Sequence, residues 1–343
     1  MNGLLTRINL LRNCTKRTVS TALSRWALAG LCASLLVACS ADDPVKTSAM
    51  AVQGLYSAAL SDNGANALIG SIQHGGSYWK NTPSQRVYNW NHIAGQATPL
   101  ISVDIDPSGD FAATGGDRTM VLWSTVTGES VGFWNTPGSI KSLKLTRNGD
   151  FALVGMDDQT ARYFDIKNGG VRHVLRTGAI VRSVDVTPDG RYALTGDDLY
   201  QVILWDLTTG EARQRWQLDN NVATVKLSDD GAYVFAAAQL GDAKVWSGLT
   251  GAEVSTVNTG ALQSRNVTIS QAVFSASNRQ LLLGQQNRRV NLVNVATGDV
   301  LRSWDLYLKD ALRPTGSAVL ALAFGTGNTY YAVGSNGYLN VFQ

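Results

Sequence analysis

From about residue 45 onward the chain is written in short runs of alternating apolar and polar residues separated by polar turns. Ser183 to Gly190 (SVDVTPDG) alternates at the two-residue period of a half-buried strand and breaks at an Asp-Gly turn. Arg191 to Gly196 (RYALTG) is short and apolar, and Val202 to Asp206 (VILWD) is a third strand-like run. A Thr-Gly turn then leads to a fourth segment that ends near Trp216. The unit reads as four successive strands, designated a to d.

The unit recurs. Thr-Gly or Asn-Gly turns end at Gly128, Gly169, Gly210 and Gly251, each 41 residues after the last, and Gly298 follows after 47. Seven a strands can be counted: LYSAALS, LISVDID, IKSLKLT, VRSVDVT, VATVKLS, SQAVFSA and VLALAFG. Each a–b turn precedes a strand c marker by 14 or 15 residues, at Trp79, Trp123, Phe164, Trp205, Trp246, Val293 and Phe342. Four-stranded units with a period of about 40 residues predict an all-β protein, a seven-bladed β-propeller over residues 45–343. The seventh unit stops after strand c, so residues 45–51 (VKTSAMA) are expected to supply the missing d strand and close the last blade.

The eight tryptophans beyond residue 39 fall on two blade positions, strand c (Trp79, Trp123, Trp205, Trp246) and strand d (Trp90, Trp134, Trp216, Trp304). Aromatics at a structural period belong to the core, so these are expected to fill the wedges between blades. They are not read as a ligand platform.

Residues 1–38 stand outside the repeat. Arg7, Arg12, Lys16, Arg17 and Arg25 form a basic region without an acid, and Trp26 to Ala38 is an apolar run too short to span a bilayer. The stretch ends in Leu36-Val37-Ala38-Cys39, which resembles a bacterial lipobox, so 1–38 is expected to be a lipoprotein signal peptide. Cys39 would then carry the lipid, and 39–44 would be a short tether. Removing the signal leaves 24 basic against 26 acidic residues, with no basic field for nucleic acid. It also leaves Cys39 as the one cysteine, so no internal disulfide can form and stability must come from packing.

Val202-Ile203-Leu204-Trp205-Asp206, preceded by TPDGRYALTGDD, resembles a WD40 repeat, and VLWS, RYFD and KVWS are weaker copies. The resemblance covers about residues 45–343 and points to a bacterial, degenerate WD40-repeat propeller lipoprotein. Repeats of that family commonly join a Gly-His before strand a to an Asp six residues before the Trp in a buried hydrogen-bond network. No Gly-His stands at any d–a junction here; Asp117 and Asp158 occupy the Asp position, with Asn287 and Asn336 as possible mimics.

Other chemistry is sparse. Gly128-Glu129-Ser130-Val131-Gly132 matches a hydrolase pattern but falls on a c–d turn, and that motif needs a strand-to-helix elbow. Asp104 to Asp110 has the look of a calcium loop without the Glu at position twelve and is read as an a–b turn. His74 and His92 should emerge on one rim, an incomplete metal ligand set. No catalytic residue, metal or cofactor is assigned.

Loop length carries more information. From the strand c marker to the next a–b turn is 26 residues in units two, three and four, but 30, 32 and 35 in units one, five and six. The long d–a loops, near Asn91 to Thr98, Thr259 to Val267 and Tyr307 to Ser317, belong to one arc of the ring. Loops on a rigid scaffold tend to carry recognition. His74, His92, Arg118, Tyr200, Arg265, Arg288, Lys309 and Arg313 are therefore the candidate partner-binding residues. The expected function is a non-enzymatic scaffold binding protein partners, with the membrane reached only through the lipid. Ser40 after the cysteine points to the periplasmic face of the outer membrane. The alternatives are an accessory lipoprotein of outer-membrane protein assembly and a propeller hydrolase or lyase using the central channel.

Overall fold

In the computed structural model, residues 41–257, 267–310 and 316–343 are described. Their 28 strands form seven four-stranded antiparallel sheets, with one short 3-10 turn at Arg147–Gly149. Blade 1 is β2 (Leu55–Leu60), β3 (Asn66–Ser71), β4 (Gly75–Asn81) and β5 (Ser84–Trp90). Blades 2 to 6 follow in the same order, from β6 (Ser102–Ile105) to β25 (Val300–Asp305). The seven a strands touch in sequence, and the last, β26 (Val319–Phe324), touches β2, so the ring is closed.

Each blade packs both faces against neighbours, so the inner b and c strands are buried almost throughout, as in Tyr192–Asp197 and Gln201–Asp206, while the outer d strands alternate with exposed positions. Seven clusters of buried apolar side chains lie between adjoining blades; one joins Tyr78 and Trp90 of blade 1 to Val103 and Trp123 of blade 2. The tryptophans stack across these wedges. The d-strand Trp90 lies on the c-strand Trp123 of the next blade, ring centres 5.1 Å apart and 9° between planes. Trp216 lies on Trp246, and Trp304 on Phe342, in the same way. The Trp90 and Trp216 Nε1 groups each donate to the carbonyl of a c–d glycine on the following blade, Gly128 and Gly251, at 2.9 Å. Those glycines have φ of +80° and +78°, so the turn that a d-strand indole reads is one that only glycine makes without strain.

The last blade is closed by the N-terminal strand. β1 (Lys46–Ala49) pairs antiparallel with β28 (Tyr338–Phe342), from Lys46 opposite Val341 to Ala49 opposite Tyr338. Met50 then packs into the apolar cluster between blades 7 and 1. Just before this strand, Asp42 forms a parallel bridge to the outer edge of blade 6. Its N–H donates to the Ser303 carbonyl at 3.1 Å, its carbonyl accepts from Asp305 N–H at 3.0 Å, and its carboxylate meets the Arg302 guanidinium at 2.9 Å.

The order of strands fixes two faces. The a–b and c–d turns lie on one, the d–a loops and b–c turns on the other, called here the d–a face.

Candidate interaction surface

Side chains on the inner strands line a central channel holding about 280 Å³. At one equivalent position of strand a, blades 2 to 5 carry Asp104, Lys144, Asp185 and Lys226, whereas blades 6, 7 and 1 carry Val273, Ala323 and Ala59. The charges pair between blades: Lys144 Nζ lies 2.7 Å from Asp104, and Lys226 Nζ 3.0 Å from Asp185. Each carboxylate also accepts a backbone N–H from the next blade, Leu145 at 2.8 Å and Leu227 at 2.7 Å. Burial alone would lower the Lys144 ammonium; the Asp104 and Asp185 carboxylates outweigh it and hold its pKa above the usual value. These charges are matched inside the ring, so they serve its assembly rather than presenting a free group to a ligand.

The hydrolase-like and calcium-like motifs are turns. Ser130 begins β9 (Ser130–Asn135), and Gly128 turns the chain from one strand into the next. Asp106 accepts backbone N–H bonds from Ser108 at 3.0 Å, Phe111 at 2.8 Å and, on blade 3, Asn148 at 2.8 Å. Its oxygens are committed to holding two a–b turns together.

His92 lies where the two-histidine rim was expected, but its ring is turned inward. Nδ1 is 2.7 Å from Thr119 Oγ1 and Nε2 2.8 Å from Thr114 Oγ1, and Trp123 Nε1 donates to the same Thr114 hydroxyl at 2.8 Å. A histidine in a d–a loop, a strand b hydroxyl and a strand c indole thus form a hydrogen-bonded chain, and Thr119, not Asp117 at the family's acid position, meets the other ring nitrogen. Trp205 repeats the indole-to-hydroxyl bond to Thr195 at 3.0 Å. Asp158, by contrast, bonds Thr160 and pairs with Arg162 on the strand that follows its turn. Burial lowers the His92 pKa from 6.5 to about 4, against the opposing effect of its bond to Thr114.

The sign of that shift gives a test. His92 is neutral in the fold but protonates near 6.5 when the chain is unfolded, so the stability it contributes is complete above that pH. It is lost as the pH falls from 6.5 to about 4. The side chain keeps some solvent contact, so the loss is about 2 kcal/mol rather than the full value of the shift. Melting temperatures of wild type and His92→Gln, measured from pH 7.5 to 4.5, should differ most at the upper end and converge at the lower. A constant gap would show that protonation of His92 is not involved.

The other candidates lie on the d–a face. His74, in the b–c turn of blade 1, is exposed, and its backbone N–H donates to Ser71 Oγ. Arg118 is exposed in the b–c turn of blade 2. Tyr200 and Arg288 occupy b–c turns of blades 4 and 6 with φ of +67° and +75°; Arg288 reaches Asp305 at 3.7 Å. Lys309 is exposed in the d–a loop between blades 6 and 7. Arg265, Arg313 and Cys39 lie outside the described residues. Sequence reasoning passed over the apolar side chains here. Of seventeen large apolar residues exposed among the described residues, nine are on the d–a face, three on the opposite face and five on outer strands.

The family model described as WD domain, G-beta repeat matches residues 88–124 and 171–206. Both segments start on a d strand and end with strand c of the next blade, β8 (Thr119–Ser124) and β16 (Gln201–Asp206). A repeat offset by one strand from the blade accounts for a propeller that opens with strand d and ends with strand c. No curated protein matches the chain. Two matched repeats, one holding His92, Thr114 and Trp123 and the other Thr195 and Trp205, on a ring of seven four-stranded blades support a WD40 propeller.

Proposed function

We propose that the chain is a lipid-anchored envelope protein whose propeller is a non-enzymatic scaffold, binding protein partners through its d–a face. The observation that carries this reading is the concentration of exposed large apolar side chains on that face, nine against three on the other. WD40 propellers commonly mediate protein–protein interactions, and exposed apolar clusters on a rigid frame are what a partner surface requires.

The anchor rests on the basic region, the apolar run and the Leu36-Val37-Ala38-Cys39 ending. Asp42 is already fixed to blade 6, so Cys39 lies three residues from the fold, a reach of about 11 Å. A propeller anchored there would stand directly on the outer membrane's periplasmic surface. Labelled palmitate should enter wild type, whereas Cys39→Ala should take up none and become soluble; equal labelling would refute lipidation.

Affinity purification from gently solubilised membranes tests the scaffold. Arg265, Lys309 and Arg313 changed together to Ala should reduce partner recovery, with a melting curve like wild type showing the fold intact; Lys309 is exposed, and an exposed loop change costs within about 0.5 kcal/mol. Alanine at Asn220 in a short loop is the comparison, Thr177 being unsuited to it because it is buried with its hydroxyl bonded to the Ala179 carbonyl at 2.8 Å; similar behaviour of the two would deny the long-loop arc a special role.

A further inference from the structure

We infer that the sector of the d–a face built by blades 7 and 1 and the start of blade 2 is a docking site for an extended, uncharged, apolar segment of a partner protein. The inference rests on the scaffold reading and names the part of the surface used and the chemistry it takes.

The sector is continuous. Ile72 N–H, in the b–c turn of blade 1, donates to the Gly54 carbonyl at 3.1 Å. A Cβ on Gly54 would meet Ile72 Cδ1 at 3.1 Å and the Ser335 carbonyl of blade 7 at 3.2 Å. The loop to blade 2 packs over the same turn, since a Cβ on Gly75 would strike the Asn91 side chain. Five large apolar side chains stand out from this ground: Val52 at 84% exposure, Ile93 at 57%, Tyr56 at 49%, Ile72 at 44% and Ile101 at 41%.

What sets the sector apart is its lack of charge. Between Lys46 and Asp104 the chain holds three charged residues, Asp62, Lys80 and Arg86. Asp62 follows β2 in an a–b turn, and Lys80 and Arg86 flank the c–d turn, so all three belong to the opposite face. The titratable side chains that blade 1 and its flanking loops leave on this face are Tyr56, His74 and His92, with the His92 ring turned inward, and blade 7 adds Tyr338 beside its b–c turn. Blades 2, 3 and 4 differ, with Asp117 and Arg118, Asp157 and Asp158, and Asp198 in their b–c turns.

A charged segment laid on this ground would surrender its hydration and find no counter-charge, whereas apolar side chains would cover the five exposed ones. Exposed Gln53, Gln73 and Gln96 supply uncharged donors and acceptors among them, which suits the unpaired backbone of an extended peptide. A lipid surface is the poorer match, because phosphate headgroups need Lys or Arg within reach, and the nearest exposed ones, Arg118 and Lys309, stand beyond the sector's edges, in the b–c turn of blade 2 and the loop ahead of blade 7. The ground is also held ready: His92 N–H donates to Thr98 Oγ1 at 3.0 Å and Thr98 N–H to Asn91 Oδ1 at 3.1 Å, so the loop bearing Ile93 is braced at both ends.

The test places a benzophenone amino acid, singly, at Gln53, Gln73, Lys309 or Thr127 of the full chain in the cells that make it, followed by irradiation and sequencing of the cross-linked peptides. Adducts from Gln53 and Gln73 should fall on the same stretch of one foreign protein, and that stretch should lack Asp, Glu, Lys and Arg. Their yield should drop at least tenfold with Ile72→Glu and remain with Val126→Glu, an equally surface-bound change on the other face. Gln73→Glu, read with the cross-linker at Gln53, introduces charge without removing an apolar side chain and should act like Ile72→Glu; it stands in should that variant fold poorly. Adducts on lipid, on a second copy of the chain or on charged stretches would overturn the assignment, as would yields indifferent to Ile72→Glu. Adducts from Lys309 alone would remove the sector while leaving the scaffold reading intact.

Discussion

Deleting residues 45–51 should abolish the folded propeller, giving aggregated or molten protein on size exclusion and a lost cooperative melt. The deletion removes β1, whose four residues pair with β28, together with the buried Met50 side chain and its bond from Met50 N–H to the Gly337 carbonyl. β28 would become an open edge on a blade whose Phe342 is fully buried. A lost core side chain costs roughly 2 to 5 kcal/mol, and four lost pairings add to it, against a total stability of about 5 to 15 kcal/mol for an ordinary domain. Lys46→Ala in the same strand removes only an exposed side chain and should melt with wild type. A folded monomer of unchanged melting temperature after the deletion would show that β1 is dispensable.

The second large effect lies in the channel. Asp185 is 2% exposed and holds both Lys226 and the Leu227 N–H. Asp185→Ala leaves a half-buried ammonium and a backbone donor without their partner, a loss of about 3 to 5 kcal/mol. The double change Asp185→Leu with Lys226→Met removes both charges and should recover most of it, because a matched apolar pair is often neutral relative to an ion pair. The more exposed Arg182–Asp198 pair on the d–a face provides the contrast: Arg182→Ala should cost at most about 1 kcal/mol. Urea midpoints for the four proteins check the order. Equal costs for Asp185→Ala and Arg182→Ala would mean that the channel charges are solvated rather than structural.

Much of the ring is legible in the chain, because one physical constraint recurs. Every blade buries both faces of its inner strands, so short apolar runs recur, the a strands carry polar residues where they line the channel, and a c–d glycine returns wherever the turn needs positive φ. The missing d strand after Phe342 led to residues 45–51, and the structure pairs Lys46–Ala49. What is harder to read is whatever departs from the period. The His92 chain was hidden because Asn91 stands before the histidine and Thr119, rather than Asp117, meets its ring. The tryptophans were expected in the wedges between blades and do stack there, but which ring meets which, strand d of one blade on strand c of the next, is set by how the blades pack and not by spacing along the chain. The charge-free sector is a property of three loops far apart in sequence, visible only once the ring brings them together. The single bridge of Asp42 has no periodicity at all.

That bridge decides where mechanical load enters the molecule. A pull on the chain ahead of Asp42 is met first by its two backbone bonds and the Arg302 ion pair on blade 6, before any force reaches β1. Because Asp42 lies parallel to its partner strand, a pull along that edge shears these contacts together instead of opening them one at a time. The closing strand is thus shielded from being peeled off β28, and the ring's one non-covalent seam is isolated from tension applied through its N-terminal end.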